Sequence, residues 1–264
     1  MNVIFVHGWA CGSRDWSTVT SILPASVQIG LAKLPGSPEA VSLEGAISLS
    51  DCAAHIIAYA NDLDFDRFAL VGHSMGARIA LELAANSQGR VSHLLLLDGS
   101  NVPEDPNEAV ARMAKQLAQL GQQGWAEAAF KSMMLDNLDH DQKHNIVNRA
   151  AQCPADVLMA YYYAMASWDR DNFVAAVDQL ACPVTIFQST SLDKHEVRRS
   201  VTTHPASLWL DVLRDRVPWA MIKLVPNTGH FIMFEQPQLI ADWVEEILQV
   251  EHSAHEEKSN HTSK

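Results

Sequence analysis

The stretch Phe68-Ala69-Leu70-Val71, Gly72-His73-Ser74-Met75-Gly76, Ala77-Arg78-Ile79-Ala80-Leu81-Glu82-Leu83 constrains this chain more than any other. An apolar strand-like run passes almost at once into a helical repeat, so the turn between them must be sharp. So tight a turn forces its central residue, Ser74, out of the usual dihedrals. The flanking glycines stand where a Cβ would strike the adjoining strand and helix.

Further apolar runs at Val3–Val6, Leu94–Leu97, Val184–Phe187 and Ala220–Val225 end in small or polar residues and read as strands. Helical repeats fall at Ser50–Asn61, Gly76–Ala85 and Pro237–Val250. Their alternation predicts an α/β fold with a mostly parallel sheet flanked by helices. From about Val102 to Asp178 the strand signals vanish and helix formers dominate. This predicts a helical cap over 102–178, between core parts at 1–101 and 179–250. Such an insertion sits over the carboxyl edge of the sheet, where open α/β folds bind ligands. Its Trp125, Phe130, Met133, Met134, Tyr161, Tyr162, Tyr163, Met165 and Trp168 are an apolar set able to line a pocket. Most single members of such a set only hold a cap together.

Composition narrows the class further. The chain has 264 residues, 48% hydrophobic and 19% charged, enough to bury one large core carrying an addition. Nineteen Lys and Arg against 31 Asp and Glu leave a net charge of −12, which repels phosphate backbones and anionic lipid. Neither nucleic acid nor a membrane is an expected partner. Met1–Val6 has no basic region or cleavage site, so the expected location is the cytoplasm. Cys11, Cys52, Cys153 and Cys182 lack any paired spacing and read as thiols, mostly buried, with neither zinc site nor disulfide framework. The polar stretch 251–264 reads as a disordered tail, and its His252, His255 and His261 repeat no ligand spacing.

Chemistry gathers at the strand ends. A serine on a strained turn at a helix N-terminus meets partial positive charge, which makes Ser74 the candidate nucleophile and the Met75 N–H a candidate oxyanion donor. Val3–Val6 runs into His7-Gly8-Trp9, which offers the Trp9 N–H as a second donor. Val225-Pro226-Asn227-Thr228-Gly229-His230-Phe231 is a strand end and a loop presenting a histidine, so His230 is the candidate base. His93, His140, His144 and His204 lack that setting, while His7 and His73 lie beside the site and shape it.

These three motifs resemble the α/β-hydrolase superfamily, over nearly the whole chain to about residue 250. Within it the chain is similar to small capped esterases of the pimeloyl-carrier-protein methyl esterase kind. It is similar, more distantly, to cofactor-free quinaldine-type ring-cleaving dioxygenases. Because Met1 stands almost directly on the strand leading to His7-Gly8, the family's usual first two antiparallel strands are not expected.

The residue that orients His230 must sit at a strand's carboxyl end facing it. Asp193 follows the strand after the cap, where most members of the resembled superfamily carry their acid. Asp98 follows the strand before the cap, the position used by the ring-cleaving relatives. The arm Gln188–Leu192 is about one residue longer than usual and leads into Lys194-His195-Glu196 instead of an Asp-Pro type turn. Asp98 steps straight onto Gly99 and Ser100, a short, stiff mount. Geometry favours Asp98 over Asp193, with a strand-end carboxylate binding loop N–H groups as the plainer alternative.

The expected activity is hydrolysis of a carboxylic ester, thioester or lactone through an acyl-enzyme on Ser74, without metal or organic cofactor. Trp9, Trp125, Met133, Tyr162 and Phe231 are expected to contact an apolar acyl or aromatic small molecule. Two alternatives keep the fold. One is cofactor-free ring cleavage driven by His230 and Asp98, and the other is a non-catalytic ligand receptor.

Overall fold

Alternate residues of a strand point to opposite faces, and in the four central strands of the sheet both sets are largely apolar, so these strands need cover on two sides. The computed structural model describes residues 1–37, 47–135, 138–192 and 197–262, with side chains as far as Val250. Asp193 therefore lies outside the described residues, as do the side chains of His252, His255 and His261.

The first half contains β1 (Asn2–Val6), α1 (Ser17–Thr20), β2 (Gln28–Leu31), α2 (Leu49–Asp62), β3 (Phe68–His73), α3 (Met75–Asn86) and β4 (Val91–Leu97). Among the described residues, four helices follow without a strand: α4 (Pro106–Lys131), α5 (His140–Gln152), α6 (Ala155–Asp171) and α7 (Phe173–Asp178). The chain then returns through β5 (Val184–Gln188), β6 (Thr190–Leu192), β7 (Arg198–Ser200), α8 (Leu208–Arg216), β8 (Met221–Leu224), α9 (Ile232–Glu235) and α10 (Pro237–Thr262).

The main sheet has the order β2-β1-β3-β4-β5-β8, and every pairing in it is parallel. Ile4, Val6, Leu70, Leu94, Leu96 and Ile186 face one side, against Ile56 of α2, Leu81 of α3 and Trp209 of α8. Val3, Phe5, Val71, Leu95, Leu97 and Phe187 face the other, against Trp16 and against Ile240, Trp243 and Val244 of α10. β6 and β7 form a separate antiparallel pair just beyond the carboxyl end of β5.

The first cap helix starts where Asp105 accepts the N–H groups of Asn107 and Glu108, with Pro106 supplying a first-turn residue that needs no N–H partner. Gly121, at φ 66°, bends α4 into two segments. Among the described residues, the regular elements between β4 and β5 are all helical. The sequence reading names neither β2 and the β6–β7 pair nor the helices α1, α8 and α9. The last helix also runs on to Thr262, where the sequence reading expects a disordered tail after Val250. Neither Gly nor Pro occurs after Pro237, so the backbone meets no helix breaker there. Among the described residues no helix is long and apolar enough to cross a membrane.

Candidate active site

β1 and β3 are neighbours, yet the chain leaves β1 toward β2 on one side and β3 toward β4 on the other. That reversal opens a crevice at the carboxyl ends of β1 and β3, where open α/β sheets bind ligands. Both sequence motifs fall there. Ser74 takes φ 55° and ψ −113° at the start of α3, and its N–H bonds to the Leu97 carbonyl at 3.0 Å. The glycines around it are sterically required. A Cβ on Gly72 would come within 2.3 Å of the Gly76 carbonyl oxygen, and one on Gly76 within 2.3 Å of that of Val6. Ala10 (φ 54°) and Asp98 (φ 46°) share the left-handed strain of Ser74 at this edge.

His230 and Asp98 meet, with His230 Nδ1 and Asp98 Oδ2 2.5 Å apart. The Asp98 side chain is fully buried and seated in a cradle of donors. Its Oδ1 accepts the N–H groups of Ser189 (2.9 Å) and Thr190 (2.6 Å) and the Gln188 amide (3.1 Å). Its Oδ2 accepts the Thr190 hydroxyl at 2.5 Å and Arg198 Nη1 at 3.3 Å. Burial opposes ionisation of Asp98, but the His230 hydrogen bond and the charges of His230 and Arg198 outweigh it. The acid is held at about 2.

Burial, reinforced by the Arg198 charge and only partly offset by Asp98, lowers the His230 imidazole to about 4. The ring is therefore neutral at pH 7 and available as a base. Its loop is held from three sides. The His230 N–H donates to the Met133 carbonyl of the cap at 2.7 Å, Ser189 Oγ donates to the Gly229 carbonyl at 2.7 Å, and the Gly229 N–H meets the Glu235 carboxylate at 2.9 Å. His73 Nε2 donates to the His230 carbonyl at 2.8 Å, a shaping contact. Burial and the neighbouring His230 push the His73 ring well below the ordinary histidine range.

Ser74, His230, His73, Trp9, Phe130, Met133 and Phe231 line one small cavity of about 20 Å³. A larger one, about 260 Å³, opens from Ser74 under the cap and is walled by Trp9, Trp125, Met133, Tyr162 and Met165. Four of the five expected contact residues thus share the larger cavity. Phe231, 1% exposed, belongs to the small one beside His230. The Trp9 ring packs against Trp125 and Tyr162, each at 5.4 Å between centroids, and its Nε1 donates to the Leu158 carbonyl of the cap at 3.2 Å. Several aromatic or sulfur side chains of the cap lie elsewhere: Met134 lines a separate cleft, Tyr163 is exposed, and Trp168 donates to Glu82 at 2.8 Å.

The sequence reading misses a polar end of the larger cavity. Arg78 holds Asp169 through Nε (2.7 Å) and Nη2 (2.8 Å), Arg112 holds Glu104, and Arg198 holds Asp98. Arg78 has a readable signal, since it follows Ser74 by one helical turn and shares its face. Arg198 sits on a three-residue strand without periodicity and has none.

A strained serine turn between a parallel strand and a helix, at the switch point of such a sheet, defines the α/β-hydrolase fold. The chain belongs to the Alpha/beta hydrolase family, whose model matches residues 3–243. A 2-succinyl-6-hydroxy-2,4-cyclohexadiene-1-carboxylate synthase of an Enterobacter species is 27% identical over 261 residues, covering 94% of this chain and 92% of that protein. A soluble epoxide hydrolase of a Corynebacterium species is 22% identical over 266 residues, covering 91% and 87%. A thermophilic esterase from Thermogutta terrifontis superposes with a TM-score of 0.78 at 20% identity, covering 94% of this chain and 89% of the other, a likeness of fold.

Proposed function

We propose that this chain is a serine hydrolase that cleaves a carboxylic ester, thioester or lactone with an apolar acyl or aromatic part. The observation that carries the reading is the buried Asp98–His230 pair, 2.5 Å apart, beside a strained serine at a helix N-terminus. Asp98 fixes the imidazole with its proton on Nδ1, leaving Nε2 to act as base. Ser74 Oγ attacks the carbonyl carbon as its proton passes to Nε2, and the oxyanion is received by the N–H groups of Trp9 and Met75. Collapse expels the leaving group, which takes the proton from Nε2. Water, deprotonated by the same nitrogen, then releases the acyl group and restores Ser74.

The cavity of about 260 Å³ accommodates a small acyl or aryl group against Trp9, Trp125, Met133 and Tyr162. Ser74→Ala tests the reading on p-nitrophenyl esters, a thioester and a lactone. Hydrolysis should fall by about three orders of magnitude or more, and a fluorophosphonate should label the parent protein and not the variant. Retained ester turnover in Ser74→Ala would refute it. One observation favours a second reading: the acid paired with His230 follows the strand before the cap, as in the resembled ring-cleaving dioxygenases. Base-driven ring cleavage of a hydroxyquinolone would survive Ser74→Ala.

A further inference from the structure

Arg198 is a buried cation at the back of the Asp98–His230 pair that hydrogen-bond satisfaction does not require. The Asp98 carboxylate offers about four lone-pair sites. Five other donors already reach it: the N–H groups of Ser189 and Thr190 and the Gln188 amide on Oδ1, and the Thr190 hydroxyl and His230 on Oδ2. Arg198 Nη1 nonetheless reaches Oδ2 at 3.3 Å and Thr190 Oγ1 at 3.0 Å, and Nη2 reaches Ser100 Oγ at 3.2 Å. A guanidinium desolvated to this degree is costly to keep. Arg198 also lines the larger cavity together with Ser74 and Ser100, so its charge stands at the site where acylation would take place.

We propose that Arg198 is a positioning residue that acts through Asp98 and His230 and adapts the pair to expel poorly leaving, alkoxide-type groups. This rests on the serine-hydrolase reading and extends it to a substrate class, esters of unactivated alcohols. Three effects combine. Arg198 and the Thr190 hydroxyl fix Oδ2, so the carboxylate keeps one orientation toward His230 Nδ1. The cation disfavours a second positive charge on the ring, which keeps the resting imidazole neutral at lower pH. Once Nε2 has taken the Ser74 proton, the same repulsion makes the imidazolium a stronger acid, and the proton passes more readily to the departing alkoxide oxygen. A p-nitrophenolate departs without that proton and draws no benefit.

The charged and titratable groups facing His230 are Asp98 from the end of β4, Arg198 from β7, Arg78 from α3 and His73 from β3. Glu235 of α9 is bound to the adjoining Gly229 N–H. Arg78, paired with Asp169, acts on the ring in the same direction but more weakly, and His73 lies below the ordinary histidine range, which leaves Arg198 as the stronger of the two cations facing the pair.

The test is Arg198→Met and Arg198→Lys, assayed by kcat/KM on ethyl butyrate and p-nitrophenyl butyrate from pH 3.5 to 9, since kcat/KM reads acylation. In Arg198→Met the acid limb should move up by about one pH unit. The ethyl ester should lose about tenfold more rate than the p-nitrophenyl ester. Arg198→Lys keeps the charge and should hold the limb near the parent position, with a lower rate on both esters. If the Met variant does not fold, the Lys variant decides alone, a displaced limb counting against the proposal. An unmoved limb in Arg198→Met, or equal losses on the two esters, overturns it. NMR titration of the His230 ring reads the same midpoint without turnover. A parent protein inactive on both esters would thus count against the hydrolase reading, while the Arg198 assignment would still stand or fall on the ring.

Discussion

At the scale of single residues, the Asp98–His230 contact yields the sharpest expectation. Asp98→Asn keeps the volume and several hydrogen bonds but lets the imidazole adopt the tautomer with its proton on Nε2, which cannot accept from Ser74. Loss of kcat by about four orders of magnitude is expected, as for a triad acid made neutral. Asp193→Asn should cost less than tenfold in the same ester assay, and the opposite ranking would reassign the acid. Ser74, Asp98 and His230 are legible in the sequence because each sits where an apolar run stops and a glycine or short polar segment begins. The donors that surround Asp98 are not. Gln188, Ser189 and Thr190 read only as a polar stretch after a strand, and their convergence depends on β4 and β5 being neighbours in the sheet.

At the scale of elements, the helical insertion is tied to the loops of the candidate site. Arg149 of α5 donates from Nε to the Ala10 carbonyl at 3.1 Å and from Nη1 to the buried Asp15, which itself accepts the Gly12 N–H at 3.2 Å. This clamp holds the segment following Trp9, whose N–H is the proposed oxyanion donor. Arg149→Met leaves the Asp15 carboxylate buried without its cation, at a cost of about 3–5 kcal/mol. A shift of the urea midpoint to lower concentration is the expected reading, with kcat falling more than KM rises; an unchanged midpoint would contradict the clamp. Long apolar strands and the helical character of 102–178 are readable from periodicity. Such pairings are not, because Arg149 and Asp15 lie far apart in a sequence where each looks like a solvated charge. β2 fails for another reason: Gln28-Ile29-Gly30-Leu31 is short and mixed, and becomes a strand by pairing with β1.

At the scale of the whole molecule, the site fixes how stability responds to acid. The unfolded chain protonates its histidines near the ordinary 6.5, whereas folded His230 stays neutral down to about 4. Between those values the unfolded state binds the extra proton, so stability falls as pH falls. This ring alone should remove on the order of 2 kcal/mol between pH 7.5 and pH 5. His73 acts in the same direction, and Asp98 extends the loss as pH drops from 3.8 toward about 2. Urea unfolding at the two pH values measures it, and equal stability at both would show that the site does not govern acid sensitivity. The parallel sheet follows from sequence pattern, while the balance of buried charge that sets this response emerges only once distant segments have packed.

Among the described residues, three hydrogen bonds join the helical insertion to main-chain or ring atoms of the candidate-site loops: Arg149 to Ala10, Trp9 to Leu158, and the His230 N–H to Met133. For protein engineering, this means the insertion is not expected to exchange as an independent specificity module. A chimera receiving a foreign cap would inherit a new cavity wall and also lose the struts that hold the proposed base and the proposed oxyanion donor. Selectivity and turnover would then change together, unless Arg149 and the carbonyls of Leu158 and Met133 were rebuilt in the graft.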